Sequence, residues 1–233
     1  AQNTIKKEIR ILKGQTYLNF PVRNSDKLVR AEIRLDGKPL DMFTINLANG
    51  NPEFWTFFDV TPYQGKTLTI EISNPPANAG RPVNVNPGAL PSQELRNDGI
   101  NLIFADKKFP GQDSLYLEKG RPQAHFSADR GWINDPNGLI YYNDEYHMYF
   151  QHNPSGWQWG NMHWGHAVSK DLIHWLQLKE AIYPVIDETS GARGDAAFSG
   201  SAVKDPNNTS GFRRNGIDPL IATSITNKRL SNW

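Results

Sequence analysis

Alternating apolar and polar residues dominate the first third of the chain. Four segments place an apolar residue at about every second position: residues 5–12, 28–35, 54–60 and 67–73. This period is typical of strands with one buried face. The pair Asp36-Gly37 and the run Gly50-Asn51-Pro52 interrupt the pattern with residues that favour turns. Because no stretch of ten residues has a convincing helical pattern, this part of the chain predicts a small β-sandwich.

A run rich in proline, glycine and asparagine follows, over residues 74–93. Proline has no amide N–H to donate to a sheet, so this run predicts a loop or linker rather than a central strand. Residues 97–118 regain strand character and could complete the first domain or bridge to the next. We therefore predict a β-sandwich-like domain at residues 1–118 and a second domain at residues 119–233.

The second region is also predicted to be β, although its composition differs. Residues 139–142 and 145–150 flank Asn143-Asp144, which predicts a hairpin, and residues 163–169, 198–204 and 220–226 predict further strands. Five of the seven tryptophans lie between Trp132 and Trp175, and all six histidines lie between His125 and His174. The whole chain is therefore predicted to be all-β.

The composition excludes several classes of function. Cysteine is absent, which excludes disulfides, a thiol nucleophile and thiolate metal sites. The net charge of +1, from 25 basic and 24 acidic residues, does not favour electrostatic binding of nucleic acid or of an anionic membrane. No apolar run is long enough to span a membrane. A neutral, hydrogen-bonding ligand such as a carbohydrate fits this balance.

The most informative segment is Trp-Ile-Asn-Asp-Pro-Asn-Gly at residues 132–138. Proline fixes φ and glycine tolerates positive φ, so Asp135 to Gly138 predict a reverse turn, with the Asp135 carboxylate held on a stiff support. Such a support suits a carboxylate that has to meet a reacting carbon with little positional slack. Asn134 beside it offers donors and acceptors for sugar hydroxyls. Taken alone, the segment fits an ordinary Asx-type turn better than a catalytic site.

The surrounding motifs favour a sugar site over a simple turn. Sugar rings present apolar C–H faces edged by hydroxyls, so their sites combine aromatic walls with a few oriented amides and carboxylates. Such side chains recur after the Asp135 segment, at Gln151, Trp159, Phe198 and Ser199. Trp157 fits exposure and packing equally well, as does Trp159 on these grounds alone. Trp164 and Trp175 are predicted to pack inside the sheet.

Four motifs in this order resemble family 32 of the glycoside hydrolases, which comprises invertases, levanases, inulinases and fructan β-fructosidases. They are Trp-Ile-Asn-Asp-Pro-Asn-Gly, Gln-His-Asn-Pro, the run from Trp159 to Trp175, and Phe-Ser-Gly-Ser-Ala, all between residues 121 and 203. The resemblance implies a five-bladed β-propeller with a central funnel and a retaining mechanism. It assigns Asp135 as the nucleophile, and it assigns the residues that line the fructose subsite: Asn134, Gln151, Trp159, Phe198 and Ser199. The first domain resembles the accessory β-domain of some bacterial members.

The sequence departs from the family in two motifs. The family uses an Arg-Asp-Pro triplet and a later acid/base Glu, but Asp205-Pro206 and Asp218-Pro219 lack the preceding Arg, and no Glu follows Phe198. We expect an active parent enzyme and a truncated chain with about two blades, nearly inactive alone and able to self-associate through unpaired strand edges. The alternatives are a non-catalytic carbohydrate-binding protein, a fragment without a ligand, or a related propeller acting on arabinans.

Two further expectations concern the histidines and the start of the chain. His163-x-x-His166, with His152 and His174 nearby, could be read as a metal site, but the spacing is loose and no carboxylate repeats with it. We expect these histidines to form hydrogen bonds within the blades, and we expect neither a metal nor a cofactor. The chain opens on Ala1-Gln2-Asn3, which fits a mature end after signal cleavage or an arbitrary boundary. We expect secretion or a location in the bacterial cell envelope, at the surface or in the periplasm.

Overall fold

The computed structural model describes residues 4–75, 98–184 and 196–224. Apart from the short helix α1 (Asp98–Asn101) and two 3₁₀ turns, the regular structure of these residues is β. The first region contains seven strands: β1 (Ile5–Arg10), β2 (Tyr17–Val22), β3 (Leu28–Leu35), β4 (Lys38–Asn46), β5 (Phe54–Asp59), β6 (Thr67–Ser73) and β7 (Phe104–Asp106). The second region contains six: β8 (Trp132–Tyr142), β9 (Glu145–Asn153), β10 (His163–Ser169), β11 (Trp175–Ile182), β12 (Gly200–Lys204) and β13 (Leu220–Ser224).

The first region is a sandwich of two antiparallel sheets, in the strand orders β1-β6-β3-β4 and β5-β2-β7. Strand β6 shows why this sequence folds so: Leu68, Ile70 and Ile72 are buried, while the residues between them face outward. Both sheets contribute side chains to one apolar cluster, which also includes Ile100 and Ile103. Full burial of such a side chain stabilises the fold by about 1.5–3 kcal/mol. The predicted sandwich is thereby confirmed.

The predicted turns and strands of this region are correct only in part. Asp36-Gly37 joins β3 to β4 with both φ angles positive, as predicted. The strand character predicted for residues 97–118 is largely wrong, since only Phe104–Asp106 forms a strand there, paired with β2. The rest contains the short helix α1, one 3₁₀ turn at Gln112–Ser114, and irregular structure between them. Residues 76–97, which include most of the predicted linker, lie outside the described residues, and the boundary at residue 118 stays a prediction.

The second region is built on a four-stranded antiparallel sheet in the order β11-β10-β9-β8. The hairpin predicted at Asn143-Asp144 is confirmed: both residues have positive φ, at 50° and 59°, as a two-residue hairpin requires. Strands β12 and β13 start another sheet, and β12 packs on β8. Ala202 of β12 lies in one buried cluster with Tyr149 of β9 and Trp164 of β10. A four-stranded antiparallel meander is the form of a propeller blade. The prediction of an all-β chain with the first blades of a propeller is therefore confirmed.

The two regions contact each other through β4 and β5 of the first. The guanidinium of Arg130 lies over the ring of Phe57, with 3.5 Å between Cζ and the ring centroid. The Thr56 hydroxyl donates a 2.8 Å hydrogen bond to the carbonyl of Pro154, and both groups are buried. Lys179 forms an ion pair with Asp59. In the part of the chain that the structure describes, no helix is long and apolar enough to cross a membrane.

Candidate active site

Strand β8 does not reverse direction at the candidate nucleophile. Asn134 pairs with Gln151 and Pro136 pairs with Phe150, so Asp135 is the extra residue of a β-bulge. The predicted reverse turn is therefore wrong, because the bulge absorbs the extra residue and the strand continues to Tyr142. Proline is tolerated at this point because β8 is the edge strand of its sheet and carries a bulge there.

The bulge turns Asp135 toward solvent. The residue is exposed, and its backbone φ of 28° lies outside the usual range of a non-glycine residue. Such a conformation costs about 1–3 kcal/mol and is concentrated at functional sites. The Ser199 hydroxyl donates a 2.9 Å hydrogen bond to Oδ2 of Asp135. The carboxylate is thus held by a donor across the site instead of being sealed in the core.

Three hydrogen bonds to backbone groups of residues 197 and 198 hold the segment that carries Ser199. Nε2 of Gln151 donates to the carbonyl of Ala197 at 2.8 Å, and Nε1 of Trp164 donates to the carbonyl of Phe198 at 2.8 Å. The amide of Ala197 donates to the carbonyl of Met162 at 3.0 Å. Gln151 and Trp164 are both buried. Their side chains therefore fix the position from which Ser199 reaches the carboxylate.

A pair of stacked aromatic rings adjoins Ser199, the residue that contacts the Asp135 carboxylate. Trp159 stacks on Phe198 with 6.2 Å between ring centroids and 15° between ring planes, and 38% of Trp159 remains exposed. Trp157 instead stacks on Phe54 of the first region, with 5.1 Å between centroids. The two tryptophans that the sequence left undecided thus differ in their contacts. Trp164 is fully buried, which confirms its predicted packing role.

The amide of Asn134 is oriented by a neighbour that the sequence argument did not single out. Nε1 of Trp132 donates a 3.0 Å hydrogen bond to Oδ1 of Asn134, so the amide nitrogen of Asn134 faces away from that indole nitrogen. The two residues are separated by two positions on one strand, so they share a face, and this spacing was a signal available in the sequence. The structure therefore groups Asn134, Asp135, Phe198, Ser199 and Trp159 with accessible surface. It places Gln151 behind them as a support.

The histidines contact each other, the backbone and carboxylates. His163 and His166 are three positions apart on β10, so their side chains face opposite sides of the sheet. The two rings of the His163-x-x-His166 motif therefore do not point toward one common site. Nδ1 of His147 lies 3.1 Å from Nε2 of His166. Burial and the charge of His147 lower the pKa of His166 to about 4. Within residues 4–75, 98–184 and 196–224, no three His, Cys, Asp or Glu side chains group as a metal site.

A buried ion pair lies where the blade meets the first region. Oε1 of Glu180 is 3.4 Å from Nδ1 of His152 and 3.9 Å from Nη2 of Arg130. Burial opposes the ionisation of Glu180, but the close contact with His152 and the charge of Arg130 outweigh it and lower the pKa of that carboxyl. Nε2 of His152 is also 2.9 Å from the carbonyl of Arg130. This carboxylate is thereby committed to a structural network, away from Asp135.

Comparison with known proteins finds a protein family and individual relatives that match the second region. The family described as "Glycosyl hydrolases family 32 N-terminal domain" matches residues 125–229. The chain is 54% identical to "Levanase" of Bacillus subtilis (strain 168), over 52% of this chain and 17% of that protein. It is 50% identical to "Extracellular exo-inulinase" of Aspergillus awamori, over 46% of this chain and 20% of that protein. The crystal structure of exo-inulinase from Aspergillus awamori covers 46% of this chain at 48% identity, with a TM-score of 0.43. The chain spans about a fifth of the length of these curated relatives.

Proposed function

Because residues 125–229 belong to glycosyl hydrolase family 32, we propose that the protein hydrolyses β-fructofuranosidic bonds in fructans or sucrose. The names of the relatives, levanase and exo-inulinase, support this substrate class. The observation that carries the proposal is the exposed Asp135 carboxylate on its bulge, with the Ser199 hydroxyl 2.9 Å from Oδ2. The stacked pair Trp159 and Phe198 supplies an aromatic surface for the sugar.

The proposed reaction proceeds with retention at the anomeric carbon. A carboxylate oxygen of Asp135 attacks that carbon, the glycosidic C–O bond breaks, and a second carboxyl protonates the leaving oxygen. Water then hydrolyses the fructosyl ester, so one difficult displacement becomes two easier ones. Asn134 contributes amide donors and acceptors for the sugar hydroxyls. Gln151, with Nε2 bonded to the Ala197 carbonyl, acts mainly by holding the Phe198-Ser199 segment, and its direct contact with fructose stays a prediction.

The acid/base carboxyl is the missing part of this constellation. In the printed sequence no Glu follows Phe198 and no Arg-Asp-Pro triplet occurs. General acid catalysis contributes about 10²–10⁴-fold to such rates. We therefore propose that the 233 residues alone release fructose from levan, inulin or sucrose at close to the uncatalysed rate, and that a longer parent chain is active.

A substrate that needs no general acid tests the nucleophile directly. An aryl β-fructofuranoside with a good leaving group loses its phenolate unprotonated, so Asp135 is expected to become fructosylated even in this chain. Deglycosylation also requires the absent base, so the ester should accumulate and be visible by mass spectrometry of the digested protein. Asp135→Asn should abolish the label, whereas Asp144→Asn, which changes the exposed hairpin carboxylate, should leave it intact. A label elsewhere, or none, would contradict the assignment.

A second candidate is a non-catalytic fructan-binding protein, for which the stacked pair Trp159 and Phe198 would supply the sugar surface. In that case fructo-oligosaccharides would bind saturably, with neither fructose release nor a label on Asp135 from the aryl fructoside. We further propose that residues 1–118 form an accessory β-domain and residues 119–233 part of the propeller. We also propose that the protein is exported to the cell envelope or the medium, a location supported by the extracellular relative. Fractionation of cells that express the parent gene would test the location.

A further inference from the structure

The connection between β9 and β10, residues 154–162, carries Trp159 and lies against the first region. At its start, the carbonyl of Pro154 accepts the 2.8 Å hydrogen bond from Thr56. In its middle, Trp157 stacks on Phe54 with ring planes 12° apart. Both partners belong to β5. The loop that presents an aromatic wall of the site is thus anchored on a sheet of the other region.

At the end of the loop, the side chain of Asn161 pairs with the backbone of Thr44. Oδ1 of Asn161 accepts hydrogen bonds from the Thr44 amide at 2.9 Å and from the Thr44 hydroxyl at 3.2 Å. Nδ2 of Asn161 donates to the Thr44 carbonyl at 2.8 Å. Thr44 lies on β4, the edge strand of its sheet. The amide therefore occupies donor and acceptor positions that another strand would use.

A second amide connects this contact to the interior of the loop. Nδ2 of Asn161 also donates to Oδ1 of Asn153 at 3.0 Å, and Nδ2 of Asn153 donates to the carbonyl of Gln158 at 2.7 Å. Trp159 directly follows Gln158 and lies two residues before Asn161. Both ends of the short segment that carries Trp159 are therefore fixed, and one of them is fixed to the first region.

We propose that Asn161 is a positioning residue through which the first region sets the place of Trp159 against Phe198, and thereby the affinity for a fructosyl ring. The effect on affinity rests on the proposed function, whereas the effect on Trp159 does not. Loss of the amide should free the loop and weaken the aromatic contact with the sugar. Since an aromatic contact is worth about 0.5–1.5 kcal/mol, affinity should fall about two- to tenfold.

Asn161→Gly is the suitable variant because the backbone of Asn161 has a φ of +44°, which glycine adopts without strain. Asn208→Gly is the matched control. Asn208 also has positive φ, 53°, and its Oδ1 accepts a 2.8 Å hydrogen bond from the amide of Arg213. Both residues lie in the connection between β12 and β13. Asn161→Asp keeps the oxygen that Thr44 contacts but sets a second oxygen against two acceptors, the Thr44 carbonyl and Oδ1 of Asn153, so it should disturb the loop at least as much as Asn161→Gly.

The 233-residue chain labelled with fluorotryptophan provides the first measurement, by fluorine NMR. Trp159→Phe assigns the Trp159 resonance. Asn161→Gly should shift or broaden that resonance and leave the resonance of the buried Trp164 in place, while Asn208→Gly should change neither. An unchanged Trp159 resonance in Asn161→Gly overturns the proposal. If that variant fails to fold, Asn161→Asp decides, because it keeps the size of the side chain and removes the donor to the Thr44 carbonyl: a shifted Trp159 resonance supports the proposal and an unchanged one overturns it.

A titration with inulin-derived oligosaccharides provides the second measurement on the same samples. The dissociation constant should rise about two- to tenfold in Asn161→Gly, at least as much in Asn161→Asp, and not at all in Asn208→Gly. A shifted Trp159 resonance with unchanged affinity overturns the inferred role in binding. If the unsubstituted chain binds no oligosaccharide, the proposed function fails, while the fluorine spectra still decide whether Asn161 positions Trp159.

Discussion

The first and second regions bury their interiors with different kinds of side chain. The first region collects its buried aliphatic and aromatic residues, such as Phe20 and Ile70, into one continuous cluster. The second region has only small apolar clusters in the part of the chain that the structure describes, one around Trp164 and one around Phe150. Its interior also contains many polar side chains: Asn137, Gln151, His152, Asn153, Ser155, His163, Ser169 and Asp205.

This difference reflects what each region has to do. Apolar burial is non-directional, so it stabilises a sandwich without dictating where any one backbone atom lies. Buried amides and imidazoles act through directional hydrogen bonds, and each is costly when its partner is lost. In the second region these bonds hold the backbone around Asp135 and Ser199. The second region therefore gains a defined site geometry from groups that contribute little net stability.

The largest effect is expected from a cavity in the first region. Leu68→Ala, at a fully buried position, should lower the free energy of unfolding by about 2–5 kcal/mol. Leu12→Ala makes the same chemical change at a residue that is 57% exposed, and it should cost less than about 0.5 kcal/mol. Urea denaturation followed by circular dichroism measures both.

Tryptophan fluorescence sharpens this experiment, because six of the seven tryptophans lie in the second region. If the contacts at Thr56 and Asn161 couple the regions, the fluorescence transition of Leu68→Ala should move with the dichroism transition. A fluorescence midpoint that stays in place would show that the regions unfold independently. Equal losses for Leu68→Ala and Leu12→Ala would contradict the apolar core described for the first region.

The next largest effect is expected from a directional bond in the second region. Trp164→Phe keeps an aromatic ring but leaves the Phe198 carbonyl without its donor, which should cost about 1–3 kcal/mol. Trp175→Phe is the matched control, since its Nε1 donates to the Leu172 carbonyl at 3.2 Å in an exposed position. That change should cost about 0.5 kcal/mol or less. A Trp164→Phe variant as stable as Trp175→Phe would argue against the importance of polar support.

A pH dependence distinguishes the two regions further, because all six histidines lie in the second. The pKa of His166 is lowered to about 4, mainly by burial, so the folded state favours the neutral ring. Its contribution to stability is complete above the unfolded pKa of about 6.5 and is lost as the pH falls toward 4. The slope cannot exceed about 1.4 kcal/mol per pH unit, and solvent around the partly exposed ring reduces it.

Urea denaturation between pH 7 and 5 measures this slope before carboxyl groups such as Glu180 begin to be protonated. His166→Gln should flatten the dependence, and His125→Gln, which changes an exposed ring outside the His147–His166 pair, is the control. An unchanged slope in His166→Gln would assign the pH dependence to other groups. A fluorescence midpoint that moves with pH by more than the dichroism midpoint, to which both regions contribute, would locate the effect in the second region.

Local patterns predicted local structure well. The hairpin at Asn143-Asp144 and strand β10 were placed correctly, because turn residues and apolar runs mark them directly. Strand β2 was missed because all but its first residue are buried, including Asn19 and Pro21, so no alternation is visible. The amide of Asn19 finds its partner in the distant carbonyl of Lys108. Strands β4 and β11 were missed as well.

Long-range contacts set what the sequence could not show at the site. Resemblance selected Asp135 and Ser199, but their hydrogen bond joins residues 64 positions apart. The bulge at Asp135 depends on pairing with β9, and the local sequence instead suggested a reverse turn. Asn161 and Thr44 are 117 positions apart, and no periodicity connects them. The candidate residues were therefore readable from motifs, while their supports required the fold.

The smallest effect is expected from the ion pair between the regions, Lys179 and Asp59. Lys179 is mostly exposed, so water and salt screen its attraction to the carboxylate, and Lys179→Met should cost only about 0.2–1 kcal/mol. Lys6→Met is the control, because Lys6 pairs with Glu71 inside the first region. Both losses should shrink at high salt, but only Lys179→Met should separate the fluorescence and dichroism transitions. If Lys179→Met instead cost more than Trp164→Phe, a surface ion pair would stabilise the second region more than its buried hydrogen bonds do.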